Sequence, residues 1–119
     1  MIAVGDQYLG HAPETLVRVS SPFGGGLGGS HEEACGVLAG AVMVLGALRG
    51  RLTPLDNDES LRESVRSLRE RFLARFGATQ CEAVRSALPD VESRCMPVVR
   101  EGTRLVVEFM EAQGIPTRA

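Results

Sequence analysis

The sequence predicts an all-α fold, a small helical bundle of about four to five helices, and three observations carry that expectation. Leu61, Val65, Leu68, Phe72 and Phe76 step by four, three, four and four, laying one apolar stripe along a charged helix. Two S/T-x-x-E patterns, Ser30 with Glu33 and Thr79 with Glu82, read as capping boxes that start helices. Gly50, Gly77 and Gly114 then stand where helices should stop.

Taken in order, Pro13 opens a short segment, "PETLVRVSS", that ends at Pro22. Its "LVRVS" also fits a strand, so this element is the most ambiguous. A glycine loop comes next, with five glycines in the six positions from Gly24 to Gly29. The Ser30–Glu33 box then starts a helix reaching about Arg49. It contains the most apolar run of the chain, Ala34 to Leu48, which is too short for a membrane span and suits a buried helix. "TPLDNDES" is a turn in which Asp56, Asn57 or Asp58 caps the striped helix. On that helix Glu63, Arg66, Glu70 and Arg71 lie off the stripe and face solvent. Thr79 and Glu82 start a short helix ending before Pro89. A last helix begins around Pro97 and carries Val98, Leu105, Val106, Phe109 and Met110 up to Gly114.

At 119 residues the chain reads as one helical domain, 1–119. Only 4% of residues are aromatic, so the core must come from Leu, Val, Ala and four Phe. The net charge of −2 gives no reason to expect nucleic acid or an acidic membrane surface as partner. All thirteen basic residues are Arg, which reads as composition bias rather than phosphate binding. The N-terminal stretch shows no signal-peptide pattern, and the expected compartment is cytoplasmic. Three cysteines in such a chain point to reduced thiols, metal ligands or redox chemistry rather than a disulfide framework. No Ser-His-Asp set, carboxylate pair or phosphotransfer motif stands out.

The glycine loop admits three readings. Gly24, Gly26 and Gly29 satisfy G-x-G-x-x-G before a helix, and such a loop could present N–H groups to a phosphate or nucleotide. That fingerprint requires a strand before the loop and a second strand after the helix, whereas a turn and another helical pattern succeed this helix. The second reading is close packing: Gly36 and Gly40, with Ala39, Ala41 and Gly46, make a small-residue strip suited to a tight core or a dimer interface. The third concerns thiols. Cys35, Cys81 and Cys95 each fall in or beside the first turns of an expected helix, where free N–H groups stabilise a thiolate. On this reckoning Cys35 lies about five residues past its cap, deep enough to gain little. No C-x-x-C is present, so as a metal signature the spacing is weak.

Three stretches of this chain resemble a small bacterial family of redox-active proteins named for its cysteine pattern, a lone Cys, a C-G-A-x-x-G motif and two further Cys. "FGGGLGGSHEEACGVLAGAVMVLG" resembles its glycine-rich entry and central motif. "FLARFGATQC" is similar to the segment before its third cysteine, and "CMPVVREGTRLVVEFME" to its last cysteine and terminal helix. The resemblance implies an all-helical fold and cysteines gathered for redox or metal chemistry, with Cys35, Cys81 and Cys95 as the second, third and fourth family cysteines. Val37 stands where the motif has Ala, and no cysteine precedes Cys35. A four-thiolate site is therefore incomplete, and His11, His31 or a second chain would have to supply the remaining ligand.

The resulting expectation is a thiol cluster of Cys35, Cys81 and Cys95 that performs thiol–disulfide exchange or holds an iron–sulfur centre or another soft metal. In the exchange version Cys81 attacks and a second cysteine resolves. Homo-oligomerisation through the Gly36/Gly40 helix and an unidentified redox partner go with it. Two other readings stay open: a non-enzymatic helical interaction module with packing cysteines, and phosphate or nucleotide binding at Gly24, Gly26 and Gly29.

Overall fold

The computed structural model describes residues 1–88 and 95–118, and its secondary structure is helical. Six α-helices are present among the described residues: α1 Ile2–Leu9, α2 Glu14–Ser20, α3 Gly36–Arg49, α4 Glu59–Phe76, α5 Cys81–Ser86 and α6 Met96–Ala112. A single 3₁₀ turn, Ser21–Phe23, extends α2. The ambiguous "LVRVS" lies within α2, and no periodic pattern in the sequence marks α1.

Helix α3 is the centre of the bundle and touches α1, α2, α4 and α6. Its Val44 and Leu45 meet Leu68 and Phe72 of α4, Val98, Val106, Phe109 and Met110 of α6 and Tyr8 of α1 in one core. The stripe on α4 behaves as its spacing requires. Leu68 and Phe72 are fully buried, while Leu61, Val65 and Phe76 pack at the edge. Asp58 is the N-cap of α4, and Asn57 Oδ1 accepts the Glu59 N–H. Gly77 ends the helix in the left-handed conformation, φ 77°.

The Gly36–Gly40 part of the small-residue strip on α3 is covered by the chain itself, whereas Gly46 has open space beside it. A Cβ on Gly40 would lie 3.0 Å from the Met1 Cβ, so this glycine lets α1 approach the α3 backbone. Gly36 faces the Phe23 carbonyl and Gly24 Cα. A further close crossing occurs at Gly102 of α6, where a Cβ would meet Val37 Cγ1 at 2.6 Å.

Both capping boxes turn out differently. Helix α3 begins at Gly36 with Cys35 as its N-cap, well beyond the expected start at Ser30. The N–H groups of His31, Glu33 and Cys35 are taken by the carbonyls of Gly25, Gly26 and Thr79, so the glycine loop and the Thr79 segment hold 30–35 out of helix. Ser30 Oγ accepts the Glu32 N–H and donates to the Gly26 carbonyl, which closes the glycine loop. Helix α5 begins at Cys81 after Gln80, and the Thr79 side chain makes no cap. Glu82 accepts from Ser86 and Arg85. The expected stop at Pro89 lies outside the described residues. Helix α6 starts at Met96 with Pro97 in its first turn, as the sequence indicates.

Candidate functional site

Each cysteine stands at the N-terminal end of a helix: Cys35 is the N-cap of α3, Cys81 the first residue of α5, and Cys95 the N-cap of α6. The fold brings these three ends to one place, and all three thiols line a single cavity of about 750 Å³. Two short-range devices hold them there. The first is an isolated antiparallel bridge between Ala34 and Gln80. In it the Cys35 N–H donates to the Thr79 carbonyl at 2.7 Å, and the Cys81 N–H donates to the Glu33 carbonyl at 2.8 Å. Residues 35 and 81 are diagonal neighbours across this bridge, on its same side.

The second device is the glycine loop. Gly26, at φ 68°, passes directly over Cys81, and a Cβ there would lie 2.5 Å from the Cys81 Cβ. Only glycine satisfies both the left-handed backbone and this approach. Gly24 lines the cavity, whereas Gly29 has open space around it. The N–H groups of Gly24, Leu27, Gly28 and Gly29 are all taken up by the carbonyls of Ser21, Phe23, Pro22 and Gly24. A 3₁₀ turn, not a strand, precedes the loop.

Exposure differs among the thiols. Cys35 and Cys81 are 8% and 6% exposed, whereas Cys95 is half-buried and the most accessible of the three. Burial pushes the Cys35 thiol up, the N–H groups of Val37 and Leu38 oppose that, and Cys95 adds a further upward push. Burial also pushes the Cys81 thiol up, reinforced by Cys35 and Cys95, while the Arg85 guanidinium favours its anion. Cys95 has the left-handed backbone conformation, φ 68°, which a non-glycine residue adopts at roughly 1–2 kcal/mol.

Of the two histidines, His31 lines the cavity and His11 is an exposed surface residue beside Asp6. Arg85 Nη1 lies 2.6 Å from His31 Nδ1. A guanidinium only donates, so His31 Nδ1 accepts and the ring proton sits on Nε2. The pair arises from the loop backbone, because the His31 carbonyl accepts the Glu82 N–H one turn before Arg85. Nothing in the sequence spacing joins His31 to Arg85; only the chain reversal that pairs Ala34 with Gln80 does.

Among the described residues, no group of three His, Cys, Asp or Glu side chains is arranged to hold a metal ion. Among the described residues, no helix is long and apolar enough to cross a membrane.

The molecule is thus an all-α bundle that gathers cysteines from three helix ends at one cavity. The chain belongs to the C_GCAxxG_C_C family, described as "Putative redox-active protein (C_GCAxxG_C_C)", whose model matches residues 1–109. No curated protein and no solved structure matches it.

Proposed function

We propose that the protein performs thiol–disulfide exchange, with Cys95 as the attacking thiol and Cys81 as the resolving one. The observation that carries this reading is the convergence of Cys35, Cys81 and Cys95 on one cavity. Cys95 takes the first step, in preference to Cys81, because it is the thiol a substrate reaches from solvent. Its thiolate attacks one sulfur of a disulfide R–S–S–R, forming a mixed disulfide and expelling RS⁻. The Cys81 thiolate, favoured by Arg85, then attacks the Cys95 sulfur and expels the second RS⁻. Two protein thiols are oxidised to one disulfide, the substrate is reduced to two thiols, and the two protons go to the leaving groups. Run backwards, the same steps transfer the disulfide to a dithiol.

Exposure of the reduced protein to oxidised glutathione, with peptide mapping of the products, tests the reading. An internal disulfide that includes Cys95 is expected, and Cys81→Ser should trap the glutathione adduct on Cys95. Three thiols that stay reduced, or an adduct with no internal bond in the native sequence, would overturn it. An interaction module with packing cysteines would give that second result.

A further inference from the structure

We infer that the substrate disulfide is taken inside the cavity, and that it is a small organic disulfide with an apolar body and an anionic group. This rests on the exchange reading above. Cys35 and Cys81 are almost closed off from solvent yet line a cavity of about 750 Å³. Cys95, which attacks, and Cys81, which resolves, both line it, so the mixed disulfide on Cys95 must stand at this cavity for Cys81 to reach it, and the cavity has the size of a small-molecule site.

The lining defines the chemistry of the occupant. Val84, Val98, Val99 and Val106 give an apolar wall that draws in an apolar body. Among the described lining residues Arg85 is the one guanidinium, and no Asp or Glu is present. His31 at 2.6 Å and Glu82 at 3.5 Å fix the position of Arg85, so its charge is presented from a set place beside Cys81. Such a wall selects an anion on an apolar frame and disfavours a cation. The electron count is that of the exchange above: one R–S–S–R enters, two protein thiols become one disulfide, and two RSH leave.

The test compares oxidation rates of the full chain by dithiobis(nitrobenzoate), an aromatic disulfide with carboxylates, and by neutral dithiodipyridine. Each rate is divided by that of the same probe with mercaptoethanol, which removes intrinsic reactivity. Insulin supplies the disulfide of a folded protein. The anionic probe should be favoured over the neutral one by about tenfold, the equivalent of one charge-assisted hydrogen bond. Arg85→Gln should erase that preference, Arg85→Lys should retain most of it, and Val99→Trp, which fills the cavity, should slow both aromatic probes. As a readout free of sulfur chemistry, the variant with all three cysteines replaced by Ser should bind anilinonaphthalene sulfonate saturably, and adding Val99→Trp should abolish that binding.

Equal normalised rates for both aromatic probes and insulin, with no effect of Val99→Trp while the internal disulfide still forms, would overturn the cavity substrate and leave exchange standing. No internal disulfide with any probe would overturn both readings, and sulfonate binding would then show whether the cavity is a site of another kind.

Discussion

At the scale of single residues, the site rests on a few positions where backbone and thiol are in conflict. Cys95 is one, since its left-handed backbone favours Gly, Asn or Asp. Cys95→Asn should therefore stabilise the protein by about 0.5–1 kcal/mol in urea denaturation while abolishing the internal disulfide. A loss of stability instead would mean that the thiol contributes packing that outweighs the backbone strain. Gly26 is the opposite case. Gly26→Ala must accommodate both its positive φ and the Cys81 Cβ, and should destabilise by about 2 kcal/mol or more. The thiols themselves give a pH prediction. Cys35 and Cys81 are pushed up by burial, so the native state holds their protons at pH values where the unfolded chain has begun to lose them. The stability this contributes is complete below the ordinary thiol range and is lost as pH rises through the raised native values. Urea midpoints of the reduced protein should therefore fall on the alkaline side of the ordinary thiol pKa, and the fall should shrink in Cys35→Ser/Cys81→Ser. Arg85→Gln should move the alkylation midpoint of Cys81 further up, as read by mass spectrometry across a pH series, because the guanidinium favours its anion.

At the scale of elements, legibility depends on the range of the forces involved. The stripe on α4 and its glycine stop are set by spacing within one helix, and both can be read from the sequence. The starts of α3 and α5 are not. Ser30 and Glu33 have the composition of a cap, but the N–H groups of Ser30 and Glu33 bond back to the glycine-loop carbonyls of Leu27 and Gly26, and that of Cys35 bonds across the molecule to Thr79. The consequence is larger than a displaced boundary, because it moves Cys35 from inside a helix to its N-cap, next to the N–H groups of Val37 and Leu38. Gly102 is likewise invisible: in the sequence it is a helix-weakening residue, and only the crossing of α6 over Val37 gives it a purpose. Two glycines separate these causes. Gly77→Ala meets nothing within 4 Å and should cost only the conformational penalty, about 1 kcal/mol. Gly102→Ala has a permitted helical backbone but collides with Val37, and should cost about 1–3 kcal/mol that Val37→Ala largely restores. Urea denaturation of the two single variants and the double variant checks both.

At the scale of the whole molecule, the site exists only because α3, α5 and α6 direct their N-terminal ends to the same place. The candidate cysteines can be picked from the sequence by type, yet their meeting depends on the Ala34–Gln80 bridge and on Gly26 clearing the way to Cys81. Convergence of this kind has a mechanical consequence. Among the described residues α6 packs against α3, and α5, which carries Cys81, has only six residues. A disulfide from Cys95 to Cys81 or Cys35 would clamp these ends and remove chain entropy from the unfolded state. Loop closure sets a ceiling of about 3 kcal/mol for the shorter loop and about 4 kcal/mol for the longer. The strained backbone of Cys95 and the thiols' favourable burial in the reduced form both work against the clamp, so the gain should fall below that ceiling. A bond that stabilises only modestly is also one a dithiol reductant can remove, which is what exchange in both directions requires. Oxidised protein should therefore show a urea midpoint raised by less than the ceiling, and dithiothreitol should return it to the reduced value. A gain at the full ceiling together with resistance to dithiothreitol would describe a structural cross-link, and the cavity would then be a by-product of packing rather than a place where disulfides are exchanged.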